Sequence, residues 1–179
     1  MKLEEVKKHF KLSRKSKYCV ELKEAWEEKG YLYILSELCE KGNLDGYLVE
    51  MCQDNGLIDE GLLWELFFQM ASAVEEVHRH DFVHLDIKPS NFFISGGLAV
   101  KLGDFGLSQD LGGQFLLDVE GDSIYMAPEL LRGGLDGDKQ KINKKVDIFS
   151  LGASLLEMAS GMNLPKNGVG WQKLREATI

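Results

Sequence analysis

The sequence predicts an α+β fold in two parts: residues 1–38 with one helix and a strand hairpin, and a mainly helical part over residues 39–179. Three observations predict it. Val20 to Trp26 and Tyr31 to Glu37 are strand-like runs joined across Glu27-Glu28-Lys29-Gly30, a turn in which glycine supplies a positive φ. From Asp59 to His78, the apolar residues Leu63, Phe67, Met70, Val74 and Val77 recur in steps of four and three, the period of a helix with one buried face. Asp147 to Ser160 returns to helical spacing with Ile148, Leu151, Leu155 and Met158.

Taken in order, Leu3 to Leu12 carries Leu3, Val6, Phe10 and, less strongly, His9 at helical spacing, which predicts an amphipathic helix facing a core. Glu4 and Glu5 followed by Lys7 and Lys8 also suit an ordinary solvated helix face with i,i+4 pairs. After the first hairpin, Ser36-Glu37-Leu38-Cys39 leads to Lys41-Gly42-Asn43, locally a strand end and a loop. Asp59 is placed to cap the long helix. Phe92-Phe93-Ile94 and Leu98 to Leu102 flank Ser95-Gly96-Gly97 and predict a second hairpin. Leu107 to Met126 has little periodicity and several acids, the profile of a long functional loop.

The chemistry concentrates in His84-Leu85-Asp86-Ile87-Lys88-Pro89-Ser90-Asn91. An acid two residues after a His, a Lys two further on and an Asn five after the acid suit phosphoryl transfer. Asp86 would orient and deprotonate an attacking hydroxyl, Lys88 would sit near the transferred group, and Asn91 would hold a metal. Asp104-Phe105-Gly106 follows behind the strand Ala99 to Leu102, and Asp104 supplies a second hard oxygen ligand for Mg2+ on nucleotide phosphates. One short hairpin therefore carries Asn91 at one end and Asp104 at the other. Ala127-Pro128-Glu129 and Asp147-Ile148-Phe149-Ser150-Leu151-Gly152 complete the series.

In this order the four motifs resemble the catalytic core of a eukaryotic protein kinase. The resemblance implies ATP and Mg2+ as cofactors and a protein-kinase-like fold, here with an incomplete small lobe and a large lobe truncated after its central helix. It makes the first helix the one whose Glu5, or Glu4, pairs with the phosphate-binding lysine. It makes Ser36 to Cys39 the hinge, where the backbone of Glu37 and Cys39 would bond adenine and Ser36 would be the small residue at the back of the pocket. Phe93 joins them as a nucleotide contact, and Asp147 becomes a buried acid bonding backbone amides of the catalytic loop.

Glu24-Ala25-Trp26-Glu27-Glu28, Tyr31-Leu32-Tyr33-Ile34, Glu37-Leu38-Cys39, His84-Leu85-Asp86, Leu102 to Leu107, Glu120-Gly121-Asp122-Ser123, and Leu164 to Gly168 with Trp171 look like the Wee and Myt family of cell-cycle inhibitory kinases. That resemblance implies transfer to a tyrosine, and in the Myt branch also a threonine, of a cyclin-dependent kinase. Lys88 is the serine/threonine type of residue, which this family combines with tyrosine phosphorylation. It also implies an intracellular protein, nuclear in the Wee branch and membrane-associated in the Myt branch, here expected to be monomeric. Leu85 stands where an Arg usually precedes the catalytic Asp, so no cationic clamp awaits a phosphate and catalysis is expected not to need activation-segment phosphorylation. Ile124 stands where the family usually carries Arg, which weakens docking inferred from that motif.

Composition narrows the alternatives. With 179 residues, 44% hydrophobic and 28% charged, the chain is long enough for a core. A net charge of -8 argues against nucleic acid or an anionic membrane as the main partner. Cys19, Cys39 and Cys52 are odd in number and outside metal-ligand spacing, the pattern of reduced thiols. Met1 to Arg14 has no apolar leader segment, and Val146 to Ala159 is too short and too polar to span a bilayer. No glycine-rich loop or phosphate-binding lysine precedes the first helix, and the usual Arg partner of Glu129 is missing, leaving a buried acid unpaired. The expectation is a fragment of an active kinase that is weak or inactive alone. The alternatives are a catalytically impaired binding or regulatory protein, a serine/threonine kinase of another subfamily, and a small-molecule phosphotransferase, the last disfavoured by Ala127-Pro128-Glu129.

Overall fold

The computed structural model describes residues 2–14, 16–52, 57–112, 121–132 and 142–176, and of residues 2–5 and 132 the backbone alone. In chain order the elements are α1 (Lys2–Ser13), β1 (Leu22–Glu28), β2 (Tyr31–Ser36), α2 (Leu44–Met51), α3 (Glu60–Arg79), β3 (Phe82–Val83), β4 (Phe92–Ser95), β5 (Ala99–Leu102), β6 (Gln109–Asp110), α4 (Pro128–Arg132), α5 (Lys145–Ser160) and α6 (Gly168–Glu176). The strands form three antiparallel pairs, β1 with β2, β3 with β6 and β4 with β5.

The β1–β2 turn is Lys29-Gly30, both at positive φ (52° and 78°), the geometry that matches the twist of paired strands. Trp26 and Tyr33 face each other in that register and stack with ring centroids 5.3 Å apart. The long helix α3 starts where Asp59 accepts a hydrogen bond from the Leu62 N–H, and it packs on β5 and α5. Leu66, Met70, Val74 and Val77 on its inner face meet Phe92, Ile94, Val100 and Leu102 of the β4–β5 hairpin and Leu151 and Met158 of α5. Burial of each such side chain contributes about 1.5–3 kcal/mol. Gln69 fixes the hairpin in depth, donating to the Leu98 carbonyl (3.1 Å) and accepting from the Val100 N–H (2.9 Å).

Two inward assignments need correction. Phe10 is 47% exposed, because the inner face of α1 runs through His9, Leu12 and Ser13, spaced by three and four; Phe10 turns outward beneath the Arg14 guanidinium. Ile148 is 53% exposed, and Val146, Asp147, Ser150 and Leu151 form the buried start of α5 instead. Glu129 is half-buried rather than buried. Helices α2, α4 and α6 and the β3–β6 pair add to the elements the sequence predicts, and α6 lies beyond the helix expected to be last. The three cysteines are free, with Cys19 buried. Among the described residues no helix is long and apolar enough to cross a membrane.

Candidate active site

The catalytic loop hangs on one carboxylate. Asp147, fully buried at the start of α5, accepts hydrogen bonds from the His84 N–H (2.8 Å, Oδ2) and the Leu85 N–H (2.9 Å, Oδ1) and meets His78 Nε2 at 2.8 Å. A buried charge is tolerated only with such partners. These bonds hold Leu85 at a φ of 69°, a conformation costly for a bulky residue, and thereby set the direction of the chain into Asp86.

His84 is fully buried and ties the loop to the end of β5. Its Nε2–H donates to the Gly103 carbonyl (3.0 Å), and its Nδ1 accepts from the Asp86 N–H (3.3 Å), the pattern of a neutral ring protonated at Nε2. Burial pushes its pKa below the usual histidine value, outweighing the neighbouring carboxylates of Asp147, Asp86 and Asp104.

Two of the expected catalytic residues, Asp86 and Lys88, and the expected metal ligand Asn91 form one cluster. The Asn91 amide donates to the Asp86 carbonyl and to Asp86 Oδ2, each at 2.7 Å. Lys88 Nζ lies 3.0 Å from the same Asp86 Oδ2 and 3.8 Å from Asp122 Oδ2. Asp86 Oδ2 is thus committed to Asn91 and Lys88, and these contacts leave Oδ1 open. Asn91 uses its amide hydrogens on Asp86, which leaves its side-chain oxygen for a cation.

Asp104 is brought to the cluster through the backbone, since the Gly103 N–H donates to the Asn91 carbonyl at 2.9 Å. Its φ of 58° turns the chain sharply out of β5, and its carboxylate is exposed. Asp104 also lines a cavity of about 340 Å³ with Ser36, Glu37, Cys39, Phe93 and Gly103. The four expected nucleotide contacts and the second expected metal ligand therefore share one cleft. Gly103 is needed at its floor, where a Cβ would lie 2.9 Å from the Phe93 ring and 3.2 Å from Val20. The side chains of Glu4 and Glu5 lie outside the described residues, although their backbone belongs to α1.

Two oxygen ligands beside a nucleotide-sized cleft fit a hard divalent cation that completes its shell from phosphates and water. No group of three or more His, Cys, Asp or Glu among the described residues forms a self-sufficient metal cage.

The sequence profile of the protein kinase domain family matches residues 2–178. The chain belongs to the protein kinase family. Among curated proteins it is 43% identical over 159 residues to a probable protein kinase of Dictyostelium discoideum, covering 87% of this chain and 42% of that protein. It is 40% identical over 162 residues to the mitosis inhibitor protein kinase wee1 of Schizosaccharomyces pombe, covering 90% of this chain and 18% of the relative. It is 38% identical over 167 residues to the membrane-associated tyrosine- and threonine-specific cdc2-inhibitory kinase wee-1.3 of Caenorhabditis elegans, covering 91% and 23%. The chain thus spans less than half the length of these relatives, and the kinase to which it is similar is of the Wee type.

Within this kinase domain, two parts of the site went unpredicted. Lys101, expected only as a strand residue, holds the Glu37 carboxylate with both contacts at 2.7 Å. Alternation in β5 was the available signal, because Lys101 sits between the buried residues Val100 and Leu102 and points to the other face. The second part is α6. Arg175 lies over the Trp171 ring, 3.9 Å from its centroid, and donates to the carbonyls of Ser123 and Ile124 (the latter at 2.8 Å), while Trp171 Nε1 donates to the Ser123 carbonyl at 3.2 Å. Where Ile124 replaces the usual Arg, the segment is gripped by its backbone. Tyr125 adds a hydrogen bond to Glu157 of α5, and Ser150 donates to the Tyr125 carbonyl at 2.8 Å.

Proposed function

We propose that this kinase domain is the phosphoryl-transfer core of a Wee-type protein kinase, which moves the γ-phosphoryl group of ATP to a tyrosine, or a threonine, of a cyclin-dependent kinase. The observation that carries the reading is the Asp86–Lys88–Asn91 cluster, joined through Gly103 to Asp104 at the edge of the 340 Å³ cleft. The relatives supply the substrate class: one is described as a mitosis inhibitor, another as a tyrosine- and threonine-specific cdc2-inhibitory kinase.

The hinge suits adenine in its donors and acceptors. The Glu37 N–H is committed to the Glu21 carbonyl (2.9 Å) and the Cys39 carbonyl accepts from the Gly42 N–H (3.0 Å). What remains is the Glu37 carbonyl to accept and the Cys39 N–H to donate, matching the exocyclic amine and ring nitrogen of a purine edge. At the other end, Asn91 and Asp104 would hold Mg2+, which neutralises charge on the phosphates when bound. Asp86 Oδ1 accepts the proton of the attacking hydroxyl while the new oxygen–phosphorus bond forms and ADP leaves with the electrons of the broken one. Lys88, held between Asp86 and Asp122, lies beside the group in transfer and offsets its charge.

The test is transfer by the chain to a cyclin-dependent kinase substrate with ATP and Mg2+, read by mass spectrometry of the acceptor residue, beside Asp86→Asn. Phosphotyrosine or phosphothreonine formed at a low rate, as expected of this chain alone, and reduced about 10²–10⁴-fold further in Asp86→Asn is the expected result. An unchanged rate in that variant, or no ATP binding by the chain, overturns the reading.

A further inference from the structure

The hinge is held by polar groups rather than by packing. Leu38, at its centre, is 79% exposed, and Ile34 and Leu35 just before it are also exposed, so few apolar contacts fix the backbone that faces the cleft. What fixes it is a closed ring of hydrogen bonds that starts and ends on β5. The Val20 N–H donates to the Leu102 carbonyl and the Leu102 N–H to the Tyr18 carbonyl, both at 2.8 Å, laying residues 18–20 beside the strand. Glu21 and Glu37 then hold each other twice, the Glu37 N–H to the Glu21 carbonyl (2.9 Å) and the Glu21 N–H to Glu37 Oε1 (2.7 Å). Lys101 closes the ring on the Glu37 carboxylate.

This ion pair differs from an ordinary surface pair. The two side chains are only 18% and 17% exposed, the ammonium meets both carboxylate oxygens, and a backbone N–H shares one of them. Burial alone would raise the Glu37 pKa, but the Lys101 ammonium and the Glu21 N–H together hold it below the usual carboxylate value. Lys101 also stands opposite Phe93 in the β4–β5 register, and Phe93 lines the same cleft. Three residues further along the chain is Asp104. The strand that grips the hinge is therefore the strand that aims the metal ligand.

We propose that Lys101 is a positioning residue for nucleotide binding. Together with the Glu37 carboxylate, it holds the Glu37 carbonyl and the Cys39 N–H toward the purine and locks that orientation to β5, and so to Asp104. The inference rests on the kinase reading of the cleft and assigns a task to a side chain that is not among the residues lining it. Without the ammonium, the half-buried Glu37 carboxylate turns out to water, gives up the Glu21 N–H, and frees the hinge peptides to rotate.

The test compares Lys101→Met, Lys101→Gln, Lys101→Arg and the double variant Glu37→Gln/Lys101→Met with the wild-type chain. Each is first checked by thermal unfolding so that binding is read only on folded protein, and Lys101→Gln carries the comparison should Lys101→Met fail to fold. Adenosine, which has no phosphates, reads the hinge alone, and ATP reads the whole cleft. Lys101→Met should weaken both by about tenfold, raising KM for ATP while kcat changes by less than about twofold. Lys101→Arg should return to within about threefold of wild type, and the double variant should bind no more weakly than Lys101→Met, because each residue acts through the other. Wild-type affinity for both ligands in a folded Lys101→Met, a loss confined to ATP, or faster turnover would each overturn the inference. Wild-type chain that binds neither ligand would instead remove the nucleotide-binding reading of the cleft on which the inference rests.

Discussion

Asp147→Asn should dismantle the catalytic loop while leaving the adenine cleft in place. The substitution keeps size and shape but replaces two charged acceptor oxygens with one neutral acceptor and one donor. In the native structure Oδ1 and Oδ2 receive the Leu85 and His84 N–H groups at 2.9 and 2.8 Å, with no exposure to water. One of these N–H groups must then face an amide donor, forfeiting a charge-assisted bond of about 1.5–3 kcal/mol and leaving a buried donor unsatisfied. Relaxation of Leu85 from φ 69° offsets part of this cost, since such residues store about 1–3 kcal/mol. A total near 3 kcal/mol is a large share of the roughly 5–15 kcal/mol that stabilises a domain. With a urea m-value of about 2 kcal/mol/M, the denaturation midpoint should fall by about 1.5 M. Turnover should drop by about a hundredfold because Asp86 loses its approach, while adenosine affinity stays within about twofold. A midpoint shift under about 0.3 M with unchanged turnover would refute this account of how the loop is held.

Three further outcomes follow from the same geometry. Since burial lowers the His84 pKa, the unfolded chain takes up a proton at that ring before the folded one does. Stability should therefore be fully present above about pH 6.5 and fall as pH drops below it, by at most about 1.4 kcal/mol per unit from this group, with a smaller difference between pH 7 and 5.5 in His84→Asn. The Cys19 thiol, pushed up to about 11 chiefly by burial, should resist iodoacetamide at pH 8 in the folded chain and react once urea unfolds it, which peptide mapping would read. Treatment with a phosphatase should leave transfer activity unchanged, because Trp171, Arg175 and Ser150 hold residues 123–125 through backbone carbonyls; complete loss of activity would contradict this.

Features set by local chemistry were readable in the sequence. The α3 stripe, the Asp59 cap and the Lys29-Gly30 turn each encode their structure within a few residues, and all three occur where the pattern places them. Asp86, Lys88 and Asn91 were legible because their spacing is itself the geometry: a loop of that length returns the Asn91 amide to Asp86. Short elements were harder. Helix α4, at five residues, offers too little beyond one turn for a period to show, and β3 pairs with β6 across 26 and 28 positions for only two residues each. Outward Phe10 shows the limit of periodicity, since Val6-His9-Phe10 fits the helical template as well as His9-Leu12-Ser13, and only the partner surface decides which face turns inward.

What the sequence conceals most thoroughly is charge acting at a distance along the chain. Unlike the tie of Asp147 to His84, 63 positions long and expected from the family resemblance, the contacts of Lys101 with Glu37, 64 positions apart, and of Arg175 with Ile124, 51 apart, were not expected. Each joins a segment that carries chemistry to one that carries none, and the local pattern of the second segment would tolerate another residue. In β5, the position of Lys101 asks only for a side chain compatible with the face opposite Val100 and Leu102; in α6, Arg175 is one basic residue in a helix's last turn. In the proposed transfer the motif residues carry the reaction, and these distant ions hold them in register. Substituting the ions should therefore alter binding and loop stability in separable ways, with Lys101 acting on the adenine end and Asp147 on the catalytic loop.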